Sequence, residues 1–135
     1  FNKFKKIRSI NRKKIISSVK NSKKWSGQFT FIEAIKKLKP SWFGLPILIN
    51  KKFLFKKKRF LNYLNKNGIE TRPIISGNFL NQPSIKLYKL NKNKEKFKYA
   101  QEIEDRGFFI GIHTSPISEK KLEFIKNKLL SINEV

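Results

Sequence analysis

Three short runs of aromatic and β-branched residues, SWFGLPILIN (41–50), IETRPII (69–75) and FFIGIH (108–113), punctuate an otherwise helix-patterned chain. Each is strand-sized and bounded by polar, Gly or Pro residues, which is how buried strands read in a sequence. The intervening segments are helix-patterned or rich in turn residues. The resulting order is α, β, α, β, loop, α, β, α, with no internal repeat. In a chain of 135 residues this predicts an α+β fold, a small three-stranded sheet with helices covering one face. No apolar run approaches the ~20 residues that a membrane-spanning helix needs.

The local signals refine this outline. Residues 3–21 are predicted as one long helix, with Phe4, Ile7, Ile15 and Val19 along one side. Gly27 ends that region, and the stretch to Pro40 stays open between a short helix at IEAIKKL and irregular chain. FKKKRFLNYLNKNG is an amphipathic helix with Phe60, Leu61 and Leu64 inward, closed by Gly68 in the left-handed cap position. Pro73 cannot donate to a ladder, so the second strand belongs at an edge or stops there. SGNFLNQP (76–83) reads as a polar loop, KLYKLNKNKEK as a turn-rich connection, and FKYAQEIEDRG as a short helix capped by Gly107. The last helix has Ser118 as N-cap and Glu119 at its positive end, with Leu122, Ile125, Leu129 and Ile132 inward. Trp42 and Phe43 are expected in the core.

Charge is unevenly spread. Residues 1–94 hold 25 of the 32 basic residues against two acids, Glu33 and Glu70, which accounts for the whole net charge of +23. Residues 95–135 hold seven of each sign. Such an excess can mark a nucleic-acid or anionic-lipid surface. Only five of the basic residues are Arg, however, and readers of phosphates and bases favour its planar fork. We read the lysine runs, Lys56 to Arg59 included, as solvated helix faces. The chain has no Cys, which excludes disulfides and thiolate-held metals, and no metal-ligand spacing is present. It has no Met and starts at Phe1, so we expect a piece of a longer protein or a processed product, soluble and cytoplasmic.

RGF (106–108) matches the start of an RNA-recognition strand. Phe109 then stands where a small residue belongs, and Ile110 replaces the second aromatic. Alternation along a strand puts Phe108 and Ile110 on one face and Phe109 on the other, so no two-aromatic platform forms. A small basic RNA-binding module remains the alternative from another class.

Taken together and in order, SWFGLPI, LNKNGIETRPIISGNFLNQP and AQEIEDRGFFIGIHTSPISEKKLEFI resemble the C-terminal part of the DegT-type nucleotide-sugar aminotransferases. The resemblance covers about residues 41–130 and implies a pyridoxal-phosphate-dependent enzyme of the aspartate aminotransferase fold. TRPIISGNFLNQP is most similar to the dehydratase branch, which removes the 3-hydroxyl from GDP- or CDP-linked 4-keto-6-deoxy sugars. Many aminotransferases of the family carry a Pro-Leu-His segment there, and Asn78 stands at the histidine's place. The implied organisation is the end of a large domain with a connecting helix and linker in residues 1–40, and the small C-terminal domain in 41–135. Pyridoxal or pyridoxamine phosphate would be gripped upstream of Phe1, so this fragment alone would be inactive and no catalytic residue is expected in it. The implied product is a 3,6-dideoxy sugar for lipopolysaccharide, made by a homodimer, with neither nucleic acid nor membrane as partner. A sugar 4-aminotransferase of the same family is the alternative.

A nucleotide-sugar site needs donors and acceptors for sugar hydroxyls and cations for the diphosphate. Ser76, Gly77, Asn78 and Gln82 offer the first in one loop at a strand end, where the competing reading is a self-satisfied polar turn. Arg72 suits substrate or anion contact, or a surface ion pair with Glu70. His113, the sole histidine, suits substrate contact, or a structural role at the end of its strand.

Overall fold

The computed structural model describes residues 2–88 and 95–135. The first helix, α1 (Asn2–Lys20), forms as expected because neither Pro nor Gly interrupts it. Its inward side differs from the expected stripe. Ile15, Ile16 and Val19 are buried, Phe4 is exposed, and the polar Asn11 and Arg12 take inward positions. Burial of Arg12 is made tolerable by Glu33 at 3.0 Å and by the Trp42 ring, 4.4 Å from the guanidinium carbon.

Gly27 turns the chain with φ +77°, and a strand follows that the sequence reading did not include, β1 (Phe29–Phe31). The sheet therefore has four strands rather than three. IEAIKKL forms no helix, only a turn in which the Leu38 N–H donates to the Ile35 carbonyl at 2.8 Å. Next come β2 (Gly44–Ile49), a 3-10 segment over Lys51–Lys56 and α2 (Lys57–Lys66). Phe60 and Leu64 are fully buried, and Gly68 takes φ +78° just past the helix, as its cap position requires. Strand β3 (Thr71–Arg72) stops at Pro73. The remaining α-helices and strands are the short α3 (Pro83–Leu87), α4 (Lys98–Arg106), β4 (Gly107–Gly111) and α5 (Glu119–Leu130), with 3-10 turns at Phe79–Asn81, Glu95–Phe97 and Ser131–Asn133. The Ser118 hydroxyl caps α5 by accepting from the Lys121 N–H. The turn-rich connection expected around KLYKLNKNKEK lies largely outside the described residues.

The strand order is β1-β2-β4-β3, antiparallel throughout, so β3 occupies an edge as Pro73 demanded. Register pairs Leu45 with Ile110 and Ile47 with Phe108. Those four side chains share one face with Ile15, Val19, Phe60, Leu64 and Leu129 in a single core. Each such side chain contributes roughly 1.5–3 kcal/mol when fully buried. Thus α1 and β1 pack into the same core as the later strands. Phe108 is fully buried, 6.1 Å from Phe60 and 6.5 Å from Phe29 by ring centroids. It is therefore unavailable for stacking on a base. Phe43 is exposed rather than in the core, and Trp42 is half-buried.

On the other sheet face, α4 crosses β2 and β4. Gly107 begins β4 here with φ −84°, so it is not a left-handed cap. It is Gly because a Cβ would run into the Ile103 carbonyl oxygen and meet the Ile74 Cδ1 at 2.8 Å. The run from Lys56 to Arg59 is only partly solvated. Lys57 Nζ donates to the carbonyls of Glu104 and Asp105 at 2.9 and 2.7 Å, at the end of α4. Lys56 Nζ donates to those of Ile132 and Asn133 at 3.1 and 3.0 Å, just past α5. Two adjacent lysines thus satisfy orphan carbonyls at two different helix ends.

Candidate functional site

Past Pro73 the chain folds a tight turn, closed by the Gly77 N–H donating to the Ile74 carbonyl at 3.1 Å. Gly77 has φ +64°, and Ile75, a β-branched residue, has φ +46°. Asn78 follows and is 4% exposed. Its Oδ1 accepts from the Leu80 N–H at 3.1 Å, its Nδ2 donates to Gln101 Oε1 at 2.9 Å, and its own N–H donates to Glu104 Oε2 at 2.6 Å. Asn81 Nδ2 donates to the same two acceptors, at 2.9 and 3.0 Å. Gln101 Nε2 in turn donates to Asp105 Oδ1 at 2.8 Å, which fixes the orientation of its amide.

Gln101 and Glu104 lie one turn apart on α4 and form a template on which the 76–82 loop is laid. Gly77 belongs to that fit, since a Cβ there would stand 2.9 Å from Glu104 Cγ. Gln82 closes the loop by donating to the Ser76 carbonyl at 2.9 Å. The Ser76 hydroxyl stays exposed and makes no hydrogen bond among the described residues. The arrangement is a loop whose Asn78, Asn81 and Gln82 side chains are bonded within the structure, with Ser76 and the apolar Phe79 on its exposed side.

The other expected residues are placed elsewhere. Arg72 is exposed and donates through Nε to Glu70 Oε1 at 2.8 Å, so the ion pair with Glu70 is formed. His113 is exposed, and its Nδ1 accepts from the Ser115 N–H at 3.0 Å, which leaves the neutral ring's proton on Nε2. It lines a groove of about 570 Å³ with Glu70, Lys121 and Phe43. A separate cavity of about 270 Å³ is walled by Phe43, Ile74, Ile75 and Phe109, so Phe43 stands on the rim of both spaces. The structure therefore gathers Ser76, Gly77, Asn78 and Gln82 into one loop and sets His113 in a neighbouring groove.

Three polar residues that organise this region carried no sequence signal strong enough to single them out. Gln101 and Glu104 were only the polar side of a short helix. Asn11 is the third. Its Nδ2 donates to the carbonyls of His113 and Ser115 at 3.1 and 2.8 Å, and its Oδ1 accepts from the Ile117 N–H at 3.0 Å. One buried side chain thus holds the turn that carries His113.

A model of the DegT/DnrJ/EryC1/StrS aminotransferase family matches residues 2–129. The chain belongs to that family. Among curated members, the GDP-4-keto-6-deoxy-D-mannose 3-dehydratase of Escherichia coli O55:H7 (strain CB9615 / EPEC) is 34% identical over 73 residues, 54% of this chain and 19% of that protein. Among solved structures, a variant of GDP-4-keto-6-deoxymannose-3-dehydratase (ColD) with bound GDP-perosamine superposes with a TM-score of 0.78 at 25% identity, over 95% of this chain and 31% of that one. The E. coli enzyme with bound hydrated PLP gives a TM-score of 0.68 at 24% identity, again over 95% and 31%. This DegT-family chain thus spans about a fifth of the length of that curated relative and about a third of the solved ones. No helix among its described residues is long and apolar enough to cross a membrane.

Proposed function

We propose that this chain is the C-terminal portion of a PLP- or PMP-dependent enzyme that removes the 3-hydroxyl of a nucleotide-linked 4-keto-6-deoxy hexose, toward a 3,6-dideoxy sugar for lipopolysaccharide. The observation that carries the reading is the 76–82 loop, locked on its inside by Gln101 and Glu104 and presenting the Ser76 hydroxyl on its exposed side. It occurs in a family member whose 34%-identical relative is a 3-dehydratase of such a sugar. On this reading residues 1–40 are the connecting helix and linker, whose α1 and β1 lend side chains to the core of a small domain formed by 41–135. Ser76, the Gly77 backbone and Gln82 meet the sugar. Asn78, spent on Leu80 and Gln101, serves by holding the loop's shape. Arg72, paired with Glu70, offers its remaining guanidinium N–H groups toward the diphosphate, and His113 a hydrogen bond from Nε2. The enzyme is a cytoplasmic homodimer, and we assign it no nucleic-acid partner.

A phosphate-bearing pyridine cofactor needs donors for its phosphate and a carboxylate for its ring nitrogen. SGNFLNQ contains no cation, and Glu104 is already engaged by Asn78 and Asn81. The described residues around this loop do not fit the cofactor, so we place it on a part of the enzyme outside this chain and route no step through these residues. Their task is to bind and orient the sugar.

A second reading, sugar 4-amination, is favoured by the family's own description as aminotransferases. One assay separates the two. The complete reading frame containing this chain is expressed, loaded with cofactor and an amino donor, and given GDP-4-keto-6-deoxymannose. A 3-deoxy product supports dehydration, a 4-amino product supports amination, and unchanged substrate with a loaded enzyme sinks both.

A further inference from the structure

Resting on the reading just given, we infer that the apolar cavity beside the 76–82 loop is the subsite for the methyl corner of a 6-deoxyhexose. The cavity holds about 270 Å³ and is walled by Trp42, Phe43, Pro46, Ile74, Ile75 and Phe109, with Ser41 also lining it. It is continuous with the loop in the most direct way possible, since Ile74 and Ile75 immediately precede Ser76. One stretch of backbone therefore presents an apolar wall and then a row of hydrogen-bonding groups. A 6-deoxyhexose has the matching profile, a methyl and the C–H face of the ring at one corner and hydroxyls beyond it.

Two features show that the wall is built rather than incidental. Ile75 holds φ +46° while the residue is 83% exposed, a backbone conformation that β-branched residues avoid. No burial of its side chain within this chain compensates for that conformation. Phe109 forms the floor, edge-on to Phe43 with ring centroids 5.5 Å apart. It can lie there only because position 44 is Gly, where a Cβ would stand 2.6 Å from Phe109 Cδ2. A 6-hydroxyl pushed into this space would lose water and meet apolar carbon, whereas a methyl group loses nothing.

The test compares two unreactive probes that differ only at C6, GDP-6-deoxymannose and GDP-mannose, as inhibitors of the holoenzyme containing this chain, with free GDP as control. The unsubstituted enzyme should favour the 6-deoxy probe by about 10- to 100-fold, the range that one group in an apolar pocket discriminates. Phe43→Ser and, separately, Ile75→Ser should bring the ratio below about 3-fold while GDP affinity stays unchanged. Both side chains are exposed, so both variants should fold, which circular dichroism checks. Equal affinity for the two probes, or a ratio untouched in both variants, overturns the subsite while leaving the nucleotide-sugar reading intact. Failure of both probes and GDP to bind overturns that reading as well. An unchanged ratio with loss of assembly on sedimentation would make the cavity a protein-docking face instead.

Discussion

Glu104 on α4 accepts the backbone N–H of Asn78 at 2.6 Å, across 26 residues of sequence. Through this bond and the neighbouring one from the Asn78 side chain to Gln101, a helix fixes the shape of a loop whose own regular structure is a single 3-10 turn at Phe79–Asn81. The account of the site depends on that dependence. If α4 holds the loop, changes on α4 must act at positions 76–82.

Replacing Glu104 by Ala should cost about 1–3 kcal/mol, because the buried Asn78 N–H is left without an acceptor. Gly77→Ala should cost a similar amount, from its φ of +64° and from the contact with Glu104. The informative measurement is the double variant in urea unfolding. Removing Glu104 removes the atoms that a Cβ at position 77 would strike, so the two costs should sum to less than their separate values. Strict additivity would mean that the loop is not laid on Glu104.

Asn11 makes the second prediction. Asn11→Ala strips partners from the carbonyls of His113 and Ser115 and from the Ile117 N–H. We expect a loss of about 2–4 kcal/mol, since more than one backbone group is left unsatisfied. Asn11→Asp should be no better despite its shape, because a carboxylate cannot donate to two carbonyls. Chemical denaturation of the three proteins checks this, and an Asp variant as stable as the parent would contradict it.

Ile75 gives a prediction of opposite sign. Its side chain is exposed and its φ is +46°, so Ile75→Gly relieves a strained backbone without opening a cavity. Stability should rise by up to about 1 kcal/mol, the strain relief being partly offset by the greater freedom of Gly in the unfolded chain. Thermal unfolding reads it directly. A clear loss of stability would show that the Ile75 side chain packs against the protein.

How much of this was legible in the sequence varies with how local each cause is. Helices α2 and α5 were readable because their apolar spacing and the flanking Gly68 and Ser118 lie within a few residues of what they control. Strand β1 was not. Its three residues are held by β2 through pairs such as Thr30 with Leu48, a partnership that no local pattern announces. Gly68 and Gly107 show the same limit within one residue type. The first is Gly for its φ, as expected at a helix end, and the second for the nearness of Ile103 and Ile74, which appears only when the sheet and α4 meet. The loop's composition marked it as a candidate, while its template on Gln101 and Glu104, a distant segment, stayed invisible.

Acid should weaken the joint between α4 and the segment before α2. Glu102 sits between Lys51 at 3.0 Å and Arg106 at 2.6 Å, and the hydrogen bonds from Lys51 first, then Arg106, hold its carboxyl below the ordinary value of 4.5. The folded form therefore gives up its proton more readily than the unfolded one. The resulting stability is present above the unfolded value and is lost as pH falls through the folded one. Glu102→Gln should lose stability less steeply than the parent below pH 4.5. Equal slopes in that range would remove Glu102 from the acid response.

The most direct test of the central claim is a crystal structure of the holoenzyme containing this chain, with a GDP-linked deoxyhexose bound. The account predicts the Ser76 hydroxyl and the Gly77 backbone within hydrogen-bond reach, about 3 Å, of sugar hydroxyls, with the Asn78 side chain still on Leu80 and Gln101. A sugar bound away from residues 76–82, with that loop buried against another protein surface, would contradict it.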